Sequence, residues 1–151
     1  LPWRNVEQWQ QLHAATTTPL GTGEDIYLKE DFMPLLKSHA LAVVHPDLLT
    51  AGGCLETKKI GDLAEDYGVQ MNLHMAESPI ACMAAVHVAA ATRNFMALEL
   101  HSVDVPWWGD LVKPALSYKG GFITVPDFSV LSRFFRVFYG KSILQFPCIS
   151  L

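Results

Sequence analysis

The chain has 151 residues, a formal net charge of −4 and a composition that is half hydrophobic. That apolar content suits one packed domain and excludes a disordered chain. Mild acidity without any block of like charges removes the footprint of a nucleic-acid binder, so a small molecule or a protein is the partner to expect.

Taken in order, the opening segment places Val6, Trp9 and Leu12 on one helical face. Residues 18–24 (TPLGTGE) then read as a short strand. Leu28, Phe32, Leu35 and Leu36 repeat at helical spacing, and residues 40–47 (ALAVVHPD) make the next strand. The Gly52-Gly53 pair is a turn before a helix striped by Ile60, Leu63, Ala64 and Tyr67, for which Gly68 supplies a C-cap. A third strand covers residues 69–75 (VQMNLHM). Ser78-Pro79 then opens an apolar helix as N-cap and first helical residue, before a fourth strand at 95–101 (FMALELH). Strands alternating with helices that have one apolar stripe and a polar back predict an α/β fold of about four βα units on a parallel sheet.

The three cysteines, Cys54, Cys82 and Cys148, are odd in number and far apart, as in reduced thiols of a cytoplasmic protein. Arg4 and Glu7 near the start do not resemble a signal peptide. The most apolar run, residues 79–92, falls short of the roughly 20 residues a spanning helix needs, so no membrane is expected.

Each strand ends in a polar side chain: Glu24, Asp47, His74 and Glu99. In a parallel barrel all strand C-termini open on one face, and catalytic groups come from several of them. Each residue also has an ordinary reading. Glu24 complements a helix dipole, Asp47 starts a turn, His74 is a satisfied structural histidine, and Glu99 is an exposed edge residue. Recurrence at the same place in successive units favours a shared mouth.

GED (23–25), HPDLLTAGGCLETKKIGDLAEDYGV (45–69), NLHMAESPIACMAAVH (72–87) and ALELH (97–101) together resemble the C-terminal barrel of the enolase superfamily. Within it the mandelate racemase subgroup, and especially its acid-sugar dehydratases such as galactonate dehydratase, is most similar. The resemblance covers residues 1–125 and implies half of a TIM-type (β/α)8 barrel. Residues 126–151 depart from it as a divergent apolar tail, to which no family structure is assigned.

The resemblance implies that Glu24 is the last of three carboxylates holding Mg²⁺. It makes Asp47 and His74 an Asp-His pair, and Glu99 the carboxyl of the eighth strand. The capping domain, the first four strands and two of the three metal carboxylates have no counterpart here. The Mg²⁺ site is therefore expected to be incomplete and the isolated chain inactive, whereas the parent is expected to be a homo-oligomeric hydro-lyase acting on a sugar acid. Racemisation, epimerisation or cycloisomerisation by the same enolisation is the alternative, as is an inert fragment or interaction module.

His74 suits acid/base work because its ordinary pKa lies near neutrality, and a carboxylate on its far nitrogen raises that pKa and fixes the tautomer. Glu99, if protonated, donates to the substrate carboxylate. Mg²⁺ prefers oxygen ligands, which suits Glu24 and makes His45 and His101 poor candidates. Asn72 alternates with His74 and faces the same side, either as a substrate contact or as a structural hydrogen bond. Trp107 either covers the mouth with Trp108 or packs.

Overall fold

The computed structural model describes residues 1–101, 105–112 and 116–125; the tail expected at 126–151 lies outside them. The main body runs α1 (Val6–Ala15), β1 (Gly21–Thr22), α2 (Leu28–Lys37), β2 (Val43–Val44), α3 (Leu48–Ala51), α4 (Cys54–Asp66), β3 (Gln70–Leu73), α5 (Pro79–Ala90) and β4 (Phe95–Leu98). A 3-10 turn at Trp108–Leu111 and a hairpin, β5 (Tyr118–Lys119) and β6 (Phe122–Ile123), follow.

The four leading strands form one sheet in the order β1-β2-β3-β4 with every neighbour parallel. Four βα units in sequential parallel order are half of a (β/α)8 barrel. Gly21 pairs with Val43, Val43 with Gln70, and Met71 with Phe95. The ladder shifts between Met71 and Asn72, so that Asn72 faces Ala97.

One face of this sheet is covered by helices. Phe32, Leu35 and Leu36 of α2, Ile60 and Ala64 of α4, and Met71 and Leu73 of β3 are buried together with Ile26 and Val44. Each large side chain among them contributes roughly 1.5–3 kcal/mol by leaving water. Alternation along β3 separates the two faces: Met71, Leu73 and Met75 are buried, while Asn72 and His74 are half-buried on the other side. Gly61 lets α4 lie close to the sheet, since a Cβ there would sit 2.7 Å from Thr92 Cγ2 and 3.0 Å from Met71 Sδ.

Local chemistry sets the joints. At the end of α4 the Val69 amide donates to Ala64 O and the Gly68 amide to Glu65 O, with Gly68 at φ +70°, which makes the expected cap a Schellman motif. Ser78 accepts from the Ala81 amide and Pro79 begins α5, as expected.

Other expectations change. The ladders are only two to four residues long, shorter than the runs expected as strands. Leu28 begins α2 at φ +56° and is exposed, and Leu12 is exposed within α1, so neither belongs to the core stripe expected for it. The Gly52-Gly53 turn follows a four-residue helix, α3, too short to leave a periodic signal.

Candidate active site

Three of the four strand-end residues converge through direct contacts. Asp47 is 2 % exposed and uses its two oxygens differently. Oδ1 accepts from the amides of Leu49 (2.8 Å) and Thr50 (3.2 Å), capping α3. Oδ2 lies 2.7 Å from His74 Nδ1. One carboxylate thus both caps α3, as a turn former would, and contacts His74. An isolated bridge between Asp47 and His74 extends the β2-β3 pairing to this point and holds the two in register.

The carboxylate fixes the imidazole with its proton on Nδ1 and directs Nε2 to the mouth, where Glu24 Oε2 lies 3.1 Å away. Burial opposes the charged imidazolium, but the hydrogen bond and charge of Asp47, with Glu24 and Glu99 beyond, raise the His74 pKa above 6.5. Asp47 is also opposed by burial. Hydrogen bonds from Glu77, His74 and the Thr50 and Leu49 amides nevertheless lower its pKa below 3.8. Glu77, pushed up by its own burial and by Asp47, is the carboxyl of this pair that keeps its proton to higher pH.

Glu99 is linked to the other three through a second set of imidazoles. Its Oε1 lies 2.6 Å from His101 Nε2 and its Oε2 lies 2.9 Å from His45 Nε2. The His45 contact lacks the alignment of a hydrogen bond, leaving both atoms buried without an aligned partner. Burial raises the Glu99 pKa, but His101, His45 and His74 outweigh it and bring it below its usual range. That shift favours the ionised carboxylate, so the condition under which Glu99 would donate to a substrate carboxylate is not met by these surroundings. His45 shifts down, mainly through burial, and His74 and His101 add to that against Glu99 and Glu24.

Asn72 shares the His74 face, as the alternation predicts, and its Oδ1 is buried without a hydrogen-bond partner. Trp107 is 59 % exposed. The inner position belongs to Trp108, whose Nε1–H donates to Glu77 O at 3.0 Å and supports the loop after β3. His45, Glu77 and His101 were absent from the sequence-derived site. A signal existed for two of them, since His45 and His101 lie two residues from Asp47 and Glu99 and share their faces by strand alternation.

Residues 1–129 match the model of the family described as enolase C-terminal domain-like. The chain belongs to that family. It is 39 % identical over 127 residues to D-xylonate dehydratase of Haloferax volcanii, covering 84 % of this chain and 31 % of that protein. D-galactonate dehydratase of Cronobacter sakazakii is 38 % identical over 89 residues, covering 59 % of this chain and 23 % of the relative. Among solved structures, mandelate racemase/muconate lactonizing enzyme from Sulfitobacter sp. superposes with a TM-score of 0.78 at 35 % identity, over 83 % of this chain and 31 % of that one. The chain thus spans less than a third of the length of these relatives.

Members of this superfamily are generally Mg²⁺-dependent. Mg²⁺ takes about six oxygen ligands. Glu24 offers one carboxylate, but its neighbour here is the His74 imidazole, and Asp47 and Glu99 are engaged with histidines. These residues do not by themselves make a Mg²⁺ site. Among the described residues no helix is long and apolar enough to cross a membrane.

Proposed function

We propose that this chain carries the acid/base half of an acid-sugar dehydratase. The observation that carries the reading is the Asp47–His74 pair, with Nδ1 held by a buried carboxylate and Nε2 presented at the strand ends. His74 as imidazolium gives its Nε2 proton to the β-hydroxyl of an aldonic-type acid, and the C–O bond breaks with loss of water. Asp47 stabilises that imidazolium and fixes its orientation. A base outside the described set removes the α-proton, and the resulting enol becomes a 2-keto-3-deoxy acid. Glu99 and Asn72 line the same mouth and orient the substrate, with Trp107 at its rim. Glu24 is offered as one ligand of a Mg²⁺ set that the described residues leave incomplete, and no step is assigned to the ion.

The dehydratase relatives favour water loss over racemisation by the same enolisation. The inert-fragment reading has one specific support: Glu24 occupies the Nε2 side of His74, where a substrate hydroxyl would sit. The test is product analysis on the whole protein that carries this sequence, incubated with aldonic acids and Mg²⁺ in D₂O. A 2-keto-3-deoxy acid supports the proposal. Deuterium at Cα without water loss points to a racemase or epimerase, and neither product supports an inert chain.

A further inference from the structure

Three imidazoles stand side by side across the ends of β2, β3 and β4. The ring centroids of His45 and His74 are 5.6 Å apart, and those of His74 and His101 are 5.5 Å apart. Glu99 lies among them. One donor atom from each of His74, Glu99 and His101 falls within 4.8 Å of the others, and His45 Nε2 is 2.9 Å from the second oxygen of Glu99.

Hydrogen bonding leaves this group incomplete. With the His74 proton on Nδ1 toward Asp47, a neutral His74 turns its Nε2 lone pair toward the carboxylates of Glu24 and Glu99. Glu99 Oε2 and His45 Nε2 are both buried without an aligned partner. A cation placed among these atoms would satisfy lone pairs and carboxylate together.

We propose that Glu99, His101 and His74 form a binding site for a borderline divalent cation of the Zn²⁺ class, distinct from any Mg²⁺ site at Glu24, with water in the fourth position. Nitrogen and carboxylate donors in this proportion suit Zn²⁺ or Co²⁺, whereas Mg²⁺ prefers all-oxygen ligation. Donors on a tetrahedral Zn²⁺ at about 2.1 Å lie about 3.4 Å from one another. The 2.6 Å His101–Glu99 contact must therefore open and the widest pair close by at most about 1.4 Å. His101 and Glu99 are exposed enough to make that adjustment, with side chains 50 % and 39 % accessible. An ion seated there takes Nε2 of His74 and competes with its proton chemistry. The site does not depend on the dehydratase reading, because its readout is binding.

The test is calorimetric titration of the full untagged chain with Zn²⁺ alone and with Mg²⁺ alone, and Co²⁺ loading followed by visible absorption. A Cys54→Ser, Cys148→Ser background removes the exposed thiol of Cys54 and that of Cys148, which lies outside the described residues, as competing ligands. The expected result is one Zn²⁺ per chain, bound at least tenfold more tightly than Mg²⁺, and a Co²⁺ spectrum of four-coordinate nitrogen and oxygen ligation. Binding should weaken at least tenfold in His101→Ala and in Glu99→Gln and by clearly less in Glu24→Gln, whose carboxylate neighbours His74 Nε2 without being a ligand, with far-UV circular dichroism unchanged. Zn²⁺ binding that disappears in the Cys54→Ser, Cys148→Ser background, survives His101→Ala and Glu99→Gln, or weakens as much in Glu24→Gln overturns the proposal.

Discussion

Replacing Asp47 with Asn separates the two tasks of this carboxylate. Asn caps a helix about as well as Asp, so its Oδ1 can still accept from the Leu49 and Thr50 amides and α3 is retained. The remaining atom facing His74 is then an amide nitrogen, which only donates. His74 must answer by turning a lone pair toward it from Nδ1 and moving its proton to Nε2. A charge-assisted hydrogen bond worth about 1.5–3 kcal/mol is exchanged for a neutral one worth about 1 kcal/mol, so the net loss of stability is about 1 kcal/mol. The His74 pKa should fall from its raised position, because the hydrogen bond and charge of Asp47 are the leading contributions that raise it. Imidazole ¹⁵N shifts followed through a pH titration report both tautomer and pKa, and urea unfolding reports the stability. In the whole protein, the loss of an oriented acid lowers turnover by about 10²–10⁴-fold. Retention of the Nδ1–H tautomer with an unshifted pKa would refute the reasoning and return Asp47 to a purely structural cap.

The same pair gives a signed pH dependence. The contribution of Asp47, whose pKa is depressed, is present above 3.8 and is lost as pH falls through its lower folded value. That of His74, whose pKa is raised, is complete below 6.5 and is lost as pH rises through its higher folded value. The stability difference between the native chain and Asp47→Asn should therefore peak between 3.8 and 6.5 in urea titrations; a difference flat across that range and beyond contradicts the pairing. Gly61→Ala should destabilise by about 1–3 kcal/mol through overpacking against Thr92 and Met71, despite the better helix propensity of Ala, and a neutral unfolding midpoint would count against the close approach of α4 to β3. Gly23→Ala would place a Cβ 2.7 Å from the His45 carbonyl carbon, forcing β1 away from β2 and moving Glu24 off His74; loss of the Glu24 influence on the His74 titration is the expected sign, and an unchanged titration would argue against it.

What the sequence discloses about this site depends on range. The strand-end positions of Asp47 and His74 are legible because βα units repeat, and repetition brings the ends of parallel neighbours together. Their 2.7 Å contact follows from that register. The roles of His45 and His101 were hidden for a different reason. As nitrogen donors they are poor Mg²⁺ ligands, and their link to the site runs through Glu99, whose ionised state depends on the two histidines in turn. Glu77 was illegible because it sits in the loop before Ser78, where no period fixes direction. The α3 helix escaped notice because its evidence is a single cap, and a cap and a turn look alike in one dimension.

The division of Asp47 between two oxygens has a consequence for how the site reports on itself. The Leu49 and Thr50 amides and the His74 ring draw on the same buried charge. When the imidazole loses its proton, electron density on the carboxylate is freed for the cap; when it gains one, the cap weakens. Hydrogen exchange at two backbone amides of a four-residue helix is thus a remote meter of the protonation of a side chain 27 residues beyond Asp47.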